Sequence, residues 1–206
     1  MARKKGEEVK PLDNPTLVSI DPGGTTGWSV MSVHPEALCV PGVQILPNVL
    51  HWSHGQIVGD ENEQTTQILG IVDSWPGCYV LIEDFILRTT VTSREVLSPV
   101  RITAKLEYAL WVSSRASSRQ MPSEAKSVAT DERLKSWGFY QREGGLEHAR
   151  DADRHGLTWL RKCKEKQWLR QACWPYIYGP GGEFGAPIPA PIPTLISGPI
   201  LPAVTS

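Results

Sequence analysis

The 206-residue sequence predicts an α/β domain in which helices flank a mixed five-stranded sheet. Two nearly continuous apolar runs, at residues 17–20 and 78–82, are typical of strands that are buried on both faces of a sheet. Each run ends in an acid, and a segment with helical periodicity lies between them. Because parallel strands need a crossover of this kind, the sheet is expected to combine parallel and antiparallel pairs.

The predicted strands begin as an antiparallel meander and continue with a parallel return. They are expected at residues 16–21, 27–33, 37–46 together with 49–58, 78–85 and 117–121. Pro22 stops ladder pairing after the first strand, and the glycines that follow it permit a tight reversal into the second. Pro122 ends the last of the five, which is therefore expected at an edge of the sheet.

Helical periodicity and capping signals predict the helices between and after these strands. They are expected at residues 65–75, 99–113, 123–137 and 147–170. Pro99 suits the first position of the second helix, and Gly138 suits the end of the third. The polar segment 88–98 is expected to be a mobile loop beside the strand-end acids.

Composition divides the chain into a flexible charged arm at 1–14, a folded domain at 15–172 and a flexible tail rich in Pro and Gly at 173–206. The four cysteines form no CxxC pair, which is typical of a reduced cytoplasmic protein. No run of 18 apolar residues occurs, so no membrane partner is expected. Residues 114–170 hold 13 Lys and Arg against 8 Asp and Glu, a pattern that suits either an anionic partner or a solvated helical surface.

Asp21 and Glu83 are the acids at the ends of the two buried strands. A carboxylate leaving water needs a cation or several hydrogen-bond donors, so a divalent metal would suit this edge of the sheet. Because side chains alternate along a strand, Glu83 and Asp84 face opposite sides. We choose Glu83 as the partner of Asp21, since it continues the face of Tyr79 and Leu81.

The last predicted helix offers a second group of metal-ligating side chains. At 100° per residue His148 and Asp151 share a face, whereas Asp153 lies about 200° from Asp151. His155 is considered only as a hydrogen-bond donor to a ligand, and Asp153 as a solvated or supporting acid. If this helix crosses the sheet, Asp21, Glu83, His148 and Asp151 converge on two Mg²⁺ or Mn²⁺ ions, a site that suits hydrolysis of a nucleic-acid strand.

The ordered set of motifs resembles RuvC-type Holliday-junction resolvases of the RNase H-like superfamily, in their phage type. The matching segments are residues 20–23 with Thr26 and Gly27, then residues 82–83, then His148 with Asp151. The resemblance implies an RNase H-like fold, the four ligands as catalytic residues, branched DNA as substrate and a homodimer. It also implies that Lys126, and more weakly Arg133, contact DNA; Arg101 is a further candidate contact. No small organic cofactor is expected.

Two other readings remain open. Actin-like phosphotransferases also begin with an aspartate strand and a glycine-rich hairpin, but they resemble two such lobes and this chain offers one. A catalytically inactive nucleic-acid-binding or scaffold protein would keep the fold and the basic segment while losing the metals. Cleavage assays with and without divalent metal separate these readings.

Overall fold

The computed structural model describes residues 14–85, 94–141 and 146–185, in which five strands alternate with helices. The strands are β1 (Thr16–Asp21), β2 (Thr25–Val33), β3 (Val49–Val58), β4 (Tyr79–Glu83) and β5 (Ser117–Gln120). The helices are α1 (Glu36–Cys39), α2 (Glu61–Asp73), α3 (Arg94–Val112), α4 (Pro122–Val128), α5 (Asp131–Trp137), α6 (Glu147–Glu165), α7 (Gln167–Cys173) and α8 (Pro175–Tyr178). The predicted arm before residue 14, most of the predicted loop 88–98 and the tail from residue 186 lie outside the described residues. None of the helices in the described ranges is long and apolar enough to cross a membrane.

The five strands form one sheet in the order β3-β2-β1-β4-β5. Strand β2 pairs antiparallel with both β1 and β3, whereas β4 pairs parallel with both β1 and β5. This is the predicted mixed five-stranded sheet. Ile20 pairs with Ile82 in the parallel ladder, so Asp21 and Glu83 leave the two central strands side by side.

Alternation along the central strands builds a core on each face of the sheet. Val18 and Ile82 belong to the core that α2 and α3 cover. Leu17 and Leu81 belong to the core under α6. Both faces of β1 and β4 are therefore buried, as their continuous apolar sequences predict.

Several predicted boundaries differ from the observed ones for local reasons. Helix α2 begins at Glu61 because Asp60 and Glu63 form a capping box, with both reciprocal hydrogen bonds at 3.0 Å. Helix α3 already includes Arg94, so Pro99 lies inside the helix rather than at its start. Residues 36–39 form α1 instead of contributing to a strand. The last predicted helix is interrupted at Lys166, whose backbone is extended.

The predicted domain end at residue 172 is wrong, because the next residues pack into the core. Trp174 and Tyr178 are fully buried side chains, and Ile177 lies beside them. The Trp174 indole donates a hydrogen bond to the Thr16 carbonyl at 3.1 Å, and the Tyr178 hydroxyl donates to the Pro35 carbonyl at 2.8 Å. Large aromatic rings bury enough apolar area to order a segment whose Pro and Gly content suggested a tail.

Candidate active site

A cleft of about 410 Å³ opens where β1 and β4 end. Its lining includes all four predicted metal ligands and one predicted DNA contact: Asp21, Glu83, His148, Asp151 and Lys126. Asp84 and Phe85 border the same cleft. The fold therefore brings together side chains that are up to 130 residues apart in sequence.

Asp21 is the most buried acid of the cleft, with 8% of its surface exposed. His148 Nδ1 donates a hydrogen bond to Asp21 Oδ2 at 2.8 Å. Burial raises the pKa of Asp21 to about 6; the hydrogen bond from His148 opposes this rise and the nearby Glu83 adds to it. The same hydrogen bond raises the pKa of His148.

Two contacts from the meander position His148 in the first turn of α6. Gln56 Oε1 on β3 accepts hydrogen bonds from the backbone N–H groups of His148, at 2.8 Å, and of Ala149, at 3.4 Å. These groups begin a helix and have no intrahelical partner, so Gln56 acts as a cap from a distant strand. Gly27 on β2 lies so close beneath the helix that an added Cβ would meet the His148 carbonyl oxygen at 2.0 Å.

Glu83 faces α6, on the side of the sheet predicted from alternation. Its Oε2 lies 3.0 Å from His155 Nε2. Burial acts to raise the pKa of Glu83, but His155 and then the nearby Asp21 and Lys126 outweigh it and lower the pKa. Asp84 instead pairs with Arg119 at 3.2 Å.

Asp151 and Asp153 point away from each other, as the helical spacing predicted. Asp151 Oδ1 accepts a hydrogen bond from Arg154, and Lys126 Nζ lies 3.7 Å from Asp151 Oδ2. Asp153 is fully buried, so of the two predicted alternatives the solvated acid is wrong and the supporting acid is left. Its carboxylate accepts hydrogen bonds from Trp52 Nε1 at 2.8 Å and His54 Nδ1 at 2.6 Å, which fasten α6 to β3.

Of the three predicted DNA contacts, Arg133 and Arg101 do not line the cleft. Arg133 Nη1 donates to the Val128 carbonyl at 2.5 Å, and Arg101 pairs with Glu61 at 3.2 Å. Sequence reasoning missed Arg154, whose guanidinium joins Asp151 to Asp131 and to the Ala129 carbonyl. The i,i+3 spacing between Asp151 and Arg154 is the signal that would have found it.

The donor set of the cleft suits a hard divalent cation, although it is not assembled around one. Within residues 14–85, 94–141 and 146–185, no three His, Cys, Asp or Glu side chains come close enough to hold a metal ion. The predicted ligands are paired with neighbouring imidazole, guanidinium or ammonium groups instead. The three carboxylates are nevertheless ligands that Mg²⁺ and Mn²⁺ prefer, and a cation beside Asp21 would offset the cost of burying its charge, which raises its pKa.

Comparison with known proteins finds likeness at the level of fold. No family model and no curated protein matches the sequence. The chain is similar in fold to RuvC-type resolvases. Thermus thermophilus RuvC in complex with Holliday junction substrate is 15% identical over 70% of this chain and 91% of that chain, with a TM-score of 0.48.

Two further solved structures show the same level of similarity. A Thermus thermophilus RuvC structure is 18% identical over 69% of this chain and 92% of that chain, with a TM-score of 0.46. The yeast mitochondrial Holliday junction resolvase Ydc2 is 12% identical over 80% of this chain and 87% of that chain, with a TM-score of 0.48. At these identities the likeness is one of fold alone.

The stability of the metal-free protein is expected to fall as pH rises through about 6, the pKa of Asp21. The pKa of Asp21 in the folded protein lies above its ordinary value of 3.8. The contribution of Asp21 to the free energy of unfolding is therefore fully present below pH 3.8 and is lost as the buried carboxyl ionises. His148 acts in the same direction, because its raised pKa stabilises the fold only while it is protonated. Between pH 5 and 8 the loss is on the order of 1 kcal/mol.

Urea unfolding in EDTA at the two pH values measures this loss. The Asp21→Asn variant has no titrating carboxyl at this position, so its free energy of unfolding is expected to depend less on pH. Equal pH dependence in the two proteins would contradict the assignment to Asp21.

Proposed function

We propose that this protein is a divalent-metal-dependent endonuclease that cleaves branched DNA, with Holliday junctions as its substrate. The observation that carries the proposal is the meeting of Asp21 and Glu83, at the ends of adjacent parallel strands, with His148, Asp151 and Lys126 in one cleft. Acids at this edge of the sheet suit the binding of divalent metal, and the lysine beside them suits contact with the phosphodiester.

The four predicted ligands, Asp21, Glu83, His148 and Asp151, would hold two Mg²⁺ or Mn²⁺ ions. When bound, such ions activate a water molecule and stabilise the leaving oxygen of a phosphodiester. Asp21 accepts a hydrogen bond from Nδ1–H of His148, so in the neutral imidazole Nε2 carries the lone pair and can bind a metal or take a proton. Lys126, whose side chain is 59% exposed, is suited to contact a phosphate.

We further propose that two copies act together through the exposed face of α3. Tyr108 and Trp111 are 67% and 76% exposed on this face, beside an exposed Val100. In an antiparallel pair of α3 helices centred on the small Ala104, Val100 of each copy lies opposite Tyr108 of the other. Such self-complementarity is what a two-fold symmetric interface requires, and paired nicks in a junction require two active sites.

Trp111→Glu is expected to convert the dimer to a monomer, because it places a charge in an apolar interface. We expect the dimer dissociation constant to rise by about 100-fold, corresponding to about 3 kcal/mol. Light scattering across a concentration series measures the change. Trp168→Glu on α7 is the matched control, since Trp168 is 65% exposed and lies outside the proposed interface. A wild-type monomer, even on DNA, would instead favour a flap or branch nuclease.

Cleavage of labelled four-way junction, replication-fork and linear duplex DNA in Mg²⁺, Mn²⁺ or EDTA tests the function. We expect nicking of the junction in either metal and none in EDTA. Cutting in EDTA would overturn the metal dependence. Preferential cutting of linear duplex would overturn the substrate.

A catalytically inactive DNA-binding or scaffold protein is the second candidate function. The observation that favours it is the pairing of Asp151 with Lys126 and Arg154 and the contact of Glu83 with His155, which balance these carboxylates without a cation. Junction binding without cutting in several divalent metals would support it. Nucleotide-stimulated phosphate release would support a phosphotransferase instead.

A further inference from the structure

The imidazole of His155 lies behind the cleft, where it contacts one of the proposed ligands. His155 is on α6, two helical turns after His148, and only 1% of its surface is exposed. Its Nε2 lies 3.0 Å from Glu83 Oε2. Because the ring is polar and buried, each of its two nitrogens needs a polar partner.

Glu83 Oε2 and His155 Nε2 face each other in a buried position. Glu83 Oε2 and His155 Nε2 are both shielded from solvent, and neither has an aligned hydrogen-bond partner among the described residues. Their separation of 3.0 Å is that of a hydrogen bond, although the alignment is not. Because a buried polar atom without a partner is costly, this contact restricts where the Glu83 carboxylate can turn.

The other ring nitrogen is held by the neighbouring strand. His155 Nδ1 lies 2.8 Å from Gln120 Oε1, so the side-chain amide of Gln120 holds this end of the ring while Nε2 faces Glu83. Gln120 is 2% exposed and pairs with Glu83 in the ladder between β4 and β5. The ring of His155 is thereby oriented by one strand toward the acid at the end of the next.

We propose that His155 is a positioning residue that orients the Glu83 carboxylate toward a bound divalent ion, and that Gln120 orients His155 in turn. The proposal rests on the proposed function of the cleft. A ligand whose carboxylate is held in place binds metal better than one that rotates, and loss of such a supporting contact typically weakens metal binding by about 10- to 100-fold.

A purely structural role predicts a different result. His54 also makes a buried contact between an imidazole and a carboxylate of α6, but its partner Asp153 lies outside the cleft lining. His54 and His155 therefore form a matched pair. If His155 only fastens α6 to the sheet, replacing either histidine will affect metal binding alike.

The experiment measures Mn²⁺ binding by electron paramagnetic resonance, without DNA, in four proteins. His155→Phe keeps a planar aromatic ring and removes both nitrogens, so its affinity is expected to be about 10- to 100-fold weaker than that of the wild type. His155→Gln keeps an amide that can contact Glu83 and is expected to recover most of the affinity. His54→Phe is expected to remain within about threefold of the wild type, at a temperature where all four proteins are folded.

Each outcome supports or overturns the proposal. Wild-type affinity in His155→Phe, or an equal loss in His54→Phe, would overturn it while leaving the proposed function intact. If His155→Phe does not fold, Gln120→Met decides: a severalfold weaker affinity supports the proposal and an unchanged affinity overturns it. Absence of Mn²⁺ binding by the wild-type protein would instead overturn the proposed function and this inference together.

Discussion

Glu83→Gln is expected to lower the rate of junction cleavage by about 10³-fold in saturating Mg²⁺. The substitution keeps the shape of the side chain and removes a largely buried charge, next to Asp21 and opposite His155. A metal ligand stabilises the charge that develops in the transition state, and a loss of about 4 kcal/mol of this stabilisation corresponds to about 10³ in rate. Single-turnover cleavage of a labelled four-way junction measures this loss.

Asp84→Asn is the matched control, because it makes the same chemical change in the next residue, which borders the cleft but whose carboxylate pairs with Arg119 and is not one of the proposed ligands. Asp84 pairs with Arg119, so we expect its replacement to alter cleavage by no more than about threefold. Junction binding in EDTA is expected to be unchanged in both variants. Full activity in Glu83→Gln, or equal losses in the two variants, would refute the choice of Glu83 as ligand.

Gly27→Ala is expected to destabilise the fold by about 3 kcal/mol and to abolish cleavage. The added Cβ would lie 2.0 Å from the His148 carbonyl oxygen and 2.8 Å from the Ala149 nitrogen. Both are backbone atoms of α6, so no side-chain rotation relieves the overlap, and overpacking of this kind costs about 1 to 3 kcal/mol or more. The first turn of α6 must move away from β2, and His148 moves with it.

Urea unfolding and junction cleavage measure the two effects together. Gly24→Ala is the control, since Gly24 is exposed and an added Cβ meets no atom within 4 Å. It is expected to keep wild-type stability within about 0.5 kcal/mol and wild-type cleavage. A Gly27→Ala variant as stable as the wild type would show that α6 packs less closely on β2 than the structure indicates.

The sheet and the positions of its acids were predictable because they follow local rules. A run of apolar residues ending in Asp21 or Glu83 indicates a buried strand and its end. The period of two then assigns Glu83 rather than Asp84 to the face of Tyr79 and Leu81, which pack under α6.

Contacts made across long stretches of sequence were not predictable from pattern. Gln56 caps α6 from 92 residues away, and Trp52 satisfies Asp153 from 101 residues away. Neither residue carries a local signal, since Gln is ordinary in a strand and Trp is ordinary in a core. Trp174 and Tyr178 were misjudged because Pro and Gly nearby suggested a tail, whereas tertiary burial decides the outcome.

Helix α6 carries His148, Asp151 and His155 on one continuous rod of 19 residues. The three side chains are therefore not independent, because a slide or rotation of the rod displaces all of them at once. Contacts with the sheet fix the position of α6. Gly27 and Gln56 contact its first turn, and further along the Ser19 hydroxyl donates a hydrogen bond to the Ala152 carbonyl at 2.7 Å. A substitution that disrupts these contacts is expected to displace all three side chains and abolish activity at once, whereas a substitution of one ligand leaves the other ligands in place.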